Sequence, residues 1–343
     1  MPSVKDVARR AGVSTATVSR VINGSSYVST ELKERVEAAI RELGYEANPF
    51  AIGLKIDKSH TIGLIISTIE NPFFAAIVRG VESKVYPAGY SLILCNTDSD
   101  PHLERMYLKL LRQKRVDGLI ISTSGGADVE IATLAERGVP VALLNRRLRA
   151  GQQLVDAVLS DSVGGARCAV AHLIALGHRR IGIVAGPSGH LQGEQRLAGY
   201  KQALAEAGLP VVPELICEAP FTAEGGYAGT LQLLAEGVGA TALFISNNFM
   251  MLGAMRAIRE CGRRVPADLA VVSFDDIDWA PYVDPPLTVV AQPAYQIGVT
   301  AAQRVLGRLS GRIAGKAREI VLPTELIVRA SCGARLAEPT AGG

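Results

Sequence analysis

The chain has 343 residues, 48% of them hydrophobic and only 5% aromatic, with a formal charge of +3; that length excludes a single small domain and leaves apolar material for two or three cores. So weak a net charge excludes a globally basic nucleic-acid binder, and any attraction to DNA must be local. Five scattered cysteines (Cys95, Cys168, Cys217, Cys261, Cys332) without a C-x-x-C pair, no apolar leader and no run long enough to span a bilayer point to a reducing cytoplasm rather than to export, a disulfide scaffold or a membrane.

In chain order, Val4, Val7, Ala8 and Ala11 recur at i, i+3, i+4 and i+7, the apolar stripe of an amphipathic helix. Gly12 ends it, and Ser14 can cap a second helix, Thr15 to Ile22, whose Val18, Val21 and Ile22 return to the same small core. Two short helices about a Gly-containing turn predict a helix-turn-helix, in which the N-terminal end of the second helix enters the DNA major groove. Its outward residues are Thr15, Ala16, Thr17, Ser19, Arg20 and Asn23, with Arg20 the natural guanine reader. The local charge agrees, since Lys5, Arg9, Arg10 and Arg20 face only Asp6 across the first thirty residues. Taken alone, the same pattern also suits a solvated helix in an ordinary bundle.

A turn-forming cluster, NGSSYVS, precedes Thr30 to Leu43, with Leu32, Val36, Ala39, Ile40 and Leu43 on one face, Ser29 at its start and Gly44 at its end. Three helices within residues 1–46 make a headpiece small enough to be marginally stable alone. Tyr27 and Tyr45 can pack at its edge or reach phosphates. Residues 47–60 lead onward; in NPFAIGLKID, Pro49 suits a first helical position and Gly53 weakens any helix. The expectation is a hinge helix that orders on DNA, with a plain linker as the alternative.

From Thr61 the texture changes to Ile/Val/Leu-rich runs alternating with helix-length amphipathic segments. TIGLII, YSLILCN, VDGLIIS and VPVALLN read as strands, with helices from Phe73, Pro101 and Asp128 between them. The alternation continues as AVLSD, a helix from Ser162, RRIGIVAG, a helix from Gln192, ELICEA, a helix from Thr222, ATALFIS, a helix from Asn247 and DLAVVSF. This predicts two doubly wound, mainly parallel α/β units. TVVAQP, a helix from Tyr295 and EIVLPTELIV end the ordered chain and can complete sheets in both units; the short tail carries no leucine heptad.

The stretches VKDVARRAGVSTATVSRVING, ELGYEANPFAIGL, GHRRIGIVAG, RLAGYKQAL, VPADLAVVSFDD and PPLTVVAQP together resemble the lac repressor (LacI/GalR) family of bacterial transcription regulators, to about Ala330. The resemblance implies an N-terminal all-α helix-turn-helix headpiece plus an α/β periplasmic-binding-protein-like core (61–331) of two doubly wound parallel-sheet lobes. Lobe 1 covers about 61–160 and 291–322, lobe 2 about 161–290 and 323–331, and residues 332–343 form a tail. It also implies a homodimer on near-palindromic double-stranded operator DNA. Thr15 and Ala16 would mainly set operator preference, Arg20 would add a base contact, and Leu54 would wedge into the minor groove. Ser14, Thr17, Asn23, Tyr27, Tyr45, Asn48 and Ala51 complete the candidate DNA contacts. Ile52 stands where the family usually has Arg, so the hinge departs from the family pattern where the headpiece does not.

In the core the resemblance implies a sugar-like effector held between the lobes by Asn71, Phe73, Phe74, Ser122, Ser124, Arg196, Phe221, Asn247 and Asp275, with Arg146 added as a neighbour. An aromatic face stacks on a sugar ring, and Arg with Asp can bind hydroxyls in two-pronged fashion. Asn248 and Asn145 stand where the family often has Asp, and losing two acids suits a sugar acid or sugar phosphate, with drift at non-contacting positions as the alternative. A purine-responsive repressor of the same architecture is the alternative function. An enzyme is disfavoured: the five histidines show no metal-ligand spacing, no G-x-S-x-G or P-loop run occurs, and neither metal nor cofactor is expected. A transport-type sugar-binding protein would match the core, but the headpiece and the missing leader count against it.

Overall fold

The computed structural model describes residues 2–22, 28–45, 59–122 and 125–334. The chain divides into two units, Met1–Ser59 and His60–Gly343.

In the first unit α1 (Val4–Ala11), α2 (Thr15–Ile22) and α3 (Thr30–Leu43) form in the order their periodicity predicts. A capping box starts α1: the Ser3 hydroxyl accepts from the Asp6 N–H, and the Asp6 carboxylate accepts from the Ser3 N–H at 2.9 Å. Gly12 stops it in the left-handed region, at φ 64°. Val7, Ala8, Ala11, Val18, Val21, Val36 and Ala39 close a core of small side chains. The Arg35 guanidinium donates to the Ala11 carbonyl at 2.7 Å, tying α3 to the turn between the first two helices.

The second unit holds two six-stranded sheets. The first comprises β1 (Thr61–Ile66), β2 (Ser91–Asn96), β3 (Gly118–Ser122), β4 (Val141–Leu144) and β5 (Asp156–Ser160), with β11 (Glu319–Leu322) returning late in the chain. Its order is β11-β5-β4-β3-β1-β2, all parallel. The second comprises β6 (Ile181–Ala185), β7 (Ile216–Glu218), β8 (Ala242–Ile245), β9 (Ala270–Phe274), β10 (Thr288–Ala291) and β12 (Glu325–Ile327), ordered β12-β10-β9-β8-β6-β7 with β12 antiparallel. The run EIVLPTELIV thus supplies one strand to each sheet. The chain passes between the lobes three times: after β5, after β10 and after β11.

Helices cover both faces of each sheet: α4 (Pro72–Val85), α5 (Pro101–Gln113), α6 (Asp128–Glu136) and α11 (Ala294–Leu309) in lobe 1, and α7 (Ser162–Ala175), α8 (Leu191–Glu206), α9 (Ala223–Leu233) and α10 (Asn248–Glu260) in lobe 2. Burial on both faces explains the unbroken apolar strands. The helices α4 and α11 approach backbone to backbone at two glycines. A Cβ on Gly80 would lie 2.1 Å from the Tyr295 carbonyl oxygen, and one on Gly298 would lie 2.2 Å from that of Ile77. At the start of β5 the buried Asp156 carboxylate takes Arg304 at 2.9 Å and Arg308 at 2.6 Å, and accepts the Arg318 N–H, fastening α11 and β11 to the sheet. Among the described residues no helix is long and apolar enough to cross a membrane.

Candidate functional site

On α2, Val18 and Val21 face the core and the opposite side is open, with Ser14, Thr15, Ala16 and Arg20 exposed. The Ser14 hydroxyl accepts the Thr17 N–H at 3.1 Å and lies 3.0 Å from the Thr17 hydroxyl, so these two side chains cap and start the helix. Among the described residues Thr15, Ala16 and Arg20 have no internal task; Thr15 and Ala16 lie in the first turn of α2, the end that a helix-turn-helix directs at the groove, and Arg20 lies in its last turn. Tyr45 is half-buried against the headpiece core, where its ring packs. Asn23, Tyr27, Asn48, Ala51 and Leu54 lie outside the described residues, and so do the hinge segment and most of the tail.

In the core, strand ends and helix starts of both lobes converge on a cavity of about 150 Å³. Lobe 1 contributes Ser67 and Thr68 after β1, Asn71, Phe73 and Phe74 at the start of α4, Ser122 at the end of β3 and Asn145 after β4. Lobe 2 contributes His190, Gln192 and Arg196 around the start of α8, Phe221, Asn247 after β8 and Asp275 after β9, and Gln292 lines it from the crossover after β10. This is the crevice at the carboxyl ends of parallel strands that open α/β sheets offer to ligands. Of the effector positions expected from sequence, Asn71, Phe73, Phe74, Ser122, Arg196, Phe221, Asn247 and Asp275 line this one space; Ser124 lies outside the described residues.

Local structure explains several of these placements. Asn71 is the N-cap of α4, accepting the Phe73 N–H at 3.0 Å, and Asn247 is the N-cap of α10, accepting the Met250 N–H at 2.8 Å. Capping consumes the Asn247 carbonyl oxygen and leaves its NH2 uncommitted among the described residues. Arg196, only 3% exposed, lies with its guanidinium carbon 3.8 Å from the Phe274 ring centroid. It donates to the Ser246 carbonyl, while its Nε is buried without a partner among the described residues. Its Nη2 is 4.0 Å from Asp275 Oδ1, too far for a direct hydrogen bond. Burial pulls the Arg196 pKa down and the Asp275 charge opposes that shift. His190, edge-on to Phe221, is also pushed down, first by burial and then by the Arg196 charge.

Arg146 departs from expectation. Its guanidinium pairs with Glu104 at 3.3 Å and with Asp128, both acids of lobe 1, and it does not line the cavity. It instead lines an open depression of about 650 Å³ that adjoins the cavity at His190 and Gln192. That depression is larger, but the convergent buried polar groups sit in the smaller space, and the ligand site is assigned there. The two amides at family Asp positions differ in fate. Asn248 pairs with Asn71 and does not line the cavity, whereas Asn145 lines it with its amide engaged by Ser160 and Gln292. Sequence reasoning missed several lining residues, among them Ser67, Thr68, His190, Gln192 and Gln292; for Ser67, Thr68 and Gln292 the position directly after strands β1 and β10 was the available signal, and for His190 and Gln192 the position at the start of α8. Asp275 faces the cavity while Asp276 pairs with Arg329 at 3.0 Å, so the two adjacent carboxylates do not act on one atom.

A helix-turn-helix headpiece and a two-lobed core with a polar cleft between its lobes define a ligand-responsive, DNA-binding transcription regulator. Residues 3–48 match the model of bacterial regulatory proteins of the lacI family, and residues 170–332 match that of the periplasmic binding protein-like domain. The HTH-type transcriptional repressor PurR of Haemophilus influenzae (strain PittEE) is 36% identical over 334 residues, spanning 96% of this chain and 98% of that protein. The lac repressor dimer bound to operator and the anti-inducer ONPF aligns with TM-score 0.83 and 34% identity over 97% of this chain and 99% of that one. The transcriptional regulator CelR in complex with cellobiose aligns with TM-score 0.74 and 35% identity over 96% and 100%. The chain belongs to the lacI family of bacterial regulatory proteins, a family of DNA-binding regulators rather than enzymes.

Proposed function

We propose that this regulator is a homodimeric repressor whose affinity for a near-palindromic operator is set by one small, neutral sugar bound between the lobes. The observation that carries the ligand class is the Arg196–Asp275 pair. A buried cation with an unpartnered Nε faces a carboxylate at 4.0 Å, so a donor and an acceptor stand side by side, as neighbouring sugar hydroxyls require. These two are the only formally charged side chains lining the cavity among the described residues, and they balance each other. An anionic ligand would leave a buried excess of negative charge. The amides at positions 145 and 248 are engaged inside the protein, so they offer an anionic ligand no dedicated donor.

The cavity, at about 150 Å³, is below the roughly 300–1,000 Å³ of drug-sized pockets and suits a single ring. Phe73 and Phe74 supply an aromatic wall. The same wall would also serve a flat base, and relatives at this identity are named PurR, so a purine is the second reading. Exposed Tyr86, Leu94, Met106 and Leu110 lie on or beside the edge strand β2, an apolar border suited to a second copy.

A thermal-shift series with D-ribose, D-glucose, D-gluconate, glucose 6-phosphate and hypoxanthine tests the ligand class, because a ligand bound to the native state raises Tm by mass action. The expected shift is with a neutral sugar alone; a shift only with gluconate or the phosphate, or only with hypoxanthine, overturns it. The responding compound must also change operator affinity, and operator must change its affinity by the same factor.

A further inference from the structure

We infer that Asn145 is a positioning residue: through Gln292 it fixes the orientation of the Asp275 carboxylate, and so sets what the cleft can recognise. This rests on the reading of the cavity as the effector site. The Asn145 carbonyl oxygen accepts the Ser160 N–H at 2.8 Å, its NH2 donates to Gln292 Oε1 at 3.0 Å, and the Gln292 NH2 donates to Asp275 Oδ1. The chain of bonds starts in lobe 1, passes through the crossover after β10 and ends in lobe 2. Asn145 and Asp275 are both held in the left-handed region, at φ 49° and 73°, which fixes the two ends of the relay in strand-end turns.

The direction of each bond is dictated by chemistry. A backbone N–H at one end can only donate, and a carboxylate at the other can only accept. Two amides in series satisfy both ends in one orientation alone: Asn145 oxygen toward Ser160, Gln292 oxygen toward Asn145, Gln292 NH2 toward Asp275. An Asp at position 145 has no NH2 to offer. Gln292 would then stand between two carboxylates with one NH2, and one junction would bring acceptor against acceptor in a buried site. The amide at 145 therefore commits Asp275 Oδ1 to Gln292 and leaves Oδ2 as the acceptor for a ligand hydroxyl. The Gln292–Asp275 bond joins the ends of the paired strands β10 and β9, and the Asn145–Gln292 bond ties that junction to lobe 1.

The test is a double-mutant cycle on the full-length protein, read as Tm without ligand. Asn145→Asp should lower Tm by ~4 °C or more, the scale of one or two lost kcal/mol in a domain of this size. In an Asp275→Asn background the loss should shrink to less than half, because the new amide can donate to Gln292 and let it reverse. With Gln292→Ala added to every member, that rescue should vanish. Additive losses overturn the inference, and so does an equal rescue without Gln292, which would mean direct repulsion between two carboxylates. Should Asn145→Asp fail to fold alone, recovery of folding in Asn145→Asp/Asp275→Asn counts as the rescue, and failure of both overturns it. A D-ribose and D-glucose titration of the parent protein is read separately: its failure would remove the effector reading while the Tm cycle still decides the relay.

Discussion

Asn71 and Asn248, 177 positions apart, exchange two hydrogen bonds across the cleft, at 3.3 and 2.9 Å, each amide donating to the other. Each carbonyl oxygen also accepts an N–H from the start of its own helix, Phe73 at 3.0 Å and Phe249 at 2.8 Å, so neither amide can reverse without losing a bond. Both residues are buried, and opening the lobes would strip both bonds at once. Asn248→Ala should therefore weaken the closed arrangement by about 1–3 kcal/mol through the unsatisfied Asn71 amide. Calorimetric titration should read this as effector affinity about ten-fold lower or worse; unchanged affinity would show that the pair does not report on closure.

In the headpiece, Arg20 is exposed on the face of α2 opposite Val18 and Val21 and, among the described residues, makes no internal bond that truncation would break. Arg20→Ala should lower specific operator affinity by about 1–3 kcal/mol, roughly 10- to 100-fold, while Tm and effector binding stay at parental values. Fluorescence anisotropy with specific and scrambled duplexes checks this. An equal loss on both duplexes would reassign Arg20 to the phosphate backbone.

Arg196 calls for a different pattern. Arg196→Met keeps a chain over Phe274 but removes the donors facing Asp275. Effector-induced thermal shift should disappear, and the effector should no longer alter operator affinity, whereas operator affinity without effector stays within about three-fold, since α2 is untouched. A variant that still responds to effector would place the recognition elsewhere in the cleft.

The parts of this molecule that repeat locally were legible from sequence. The stripe Val4, Val7, Ala8, Ala11 marked α1 and the apolar runs marked strands, whereas the cleft residues came from the family resemblance. Two helix starts were displaced by a residue because Thr222 and Asn247, read as first helical residues, serve as caps outside the helix. What escaped were partnerships between distant residues. Arg146 reads as a cleft cation until Glu104 and Asp128 appear beside it, and Asn145 reads as a lost acid until Gln292, 147 positions on, is seen to take its NH2. Nothing in periodicity or spacing encodes such pairings; they depend on where strand ends and crossovers meet.

The last prediction concerns stability rather than recognition. Asp156 is 1% exposed and is the shared counter-charge of Arg304 and Arg308. Burial pushes its pKa up, but the bonds from Arg308, Arg304 and the Arg318 N–H outweigh it, and the carboxyl sits below its ordinary 3.8. The unfolded chain thus takes up this proton at higher pH than the folded protein does. The stabilisation is complete above the unfolded value and is lost as pH falls from about 4 through the folded value. Asp156→Asn should cost about 3–5 kcal/mol at neutral pH, because two largely buried guanidinium groups lose their counter-charge. Calorimetric scans at neutral pH and at successively lower pH below 4 should show the parental Tm falling in the acidic range, with a smaller fall in the variant from its lower start. Parallel curves would mean that other carboxylates govern acid unfolding and that Asp156 contributes nothing to it.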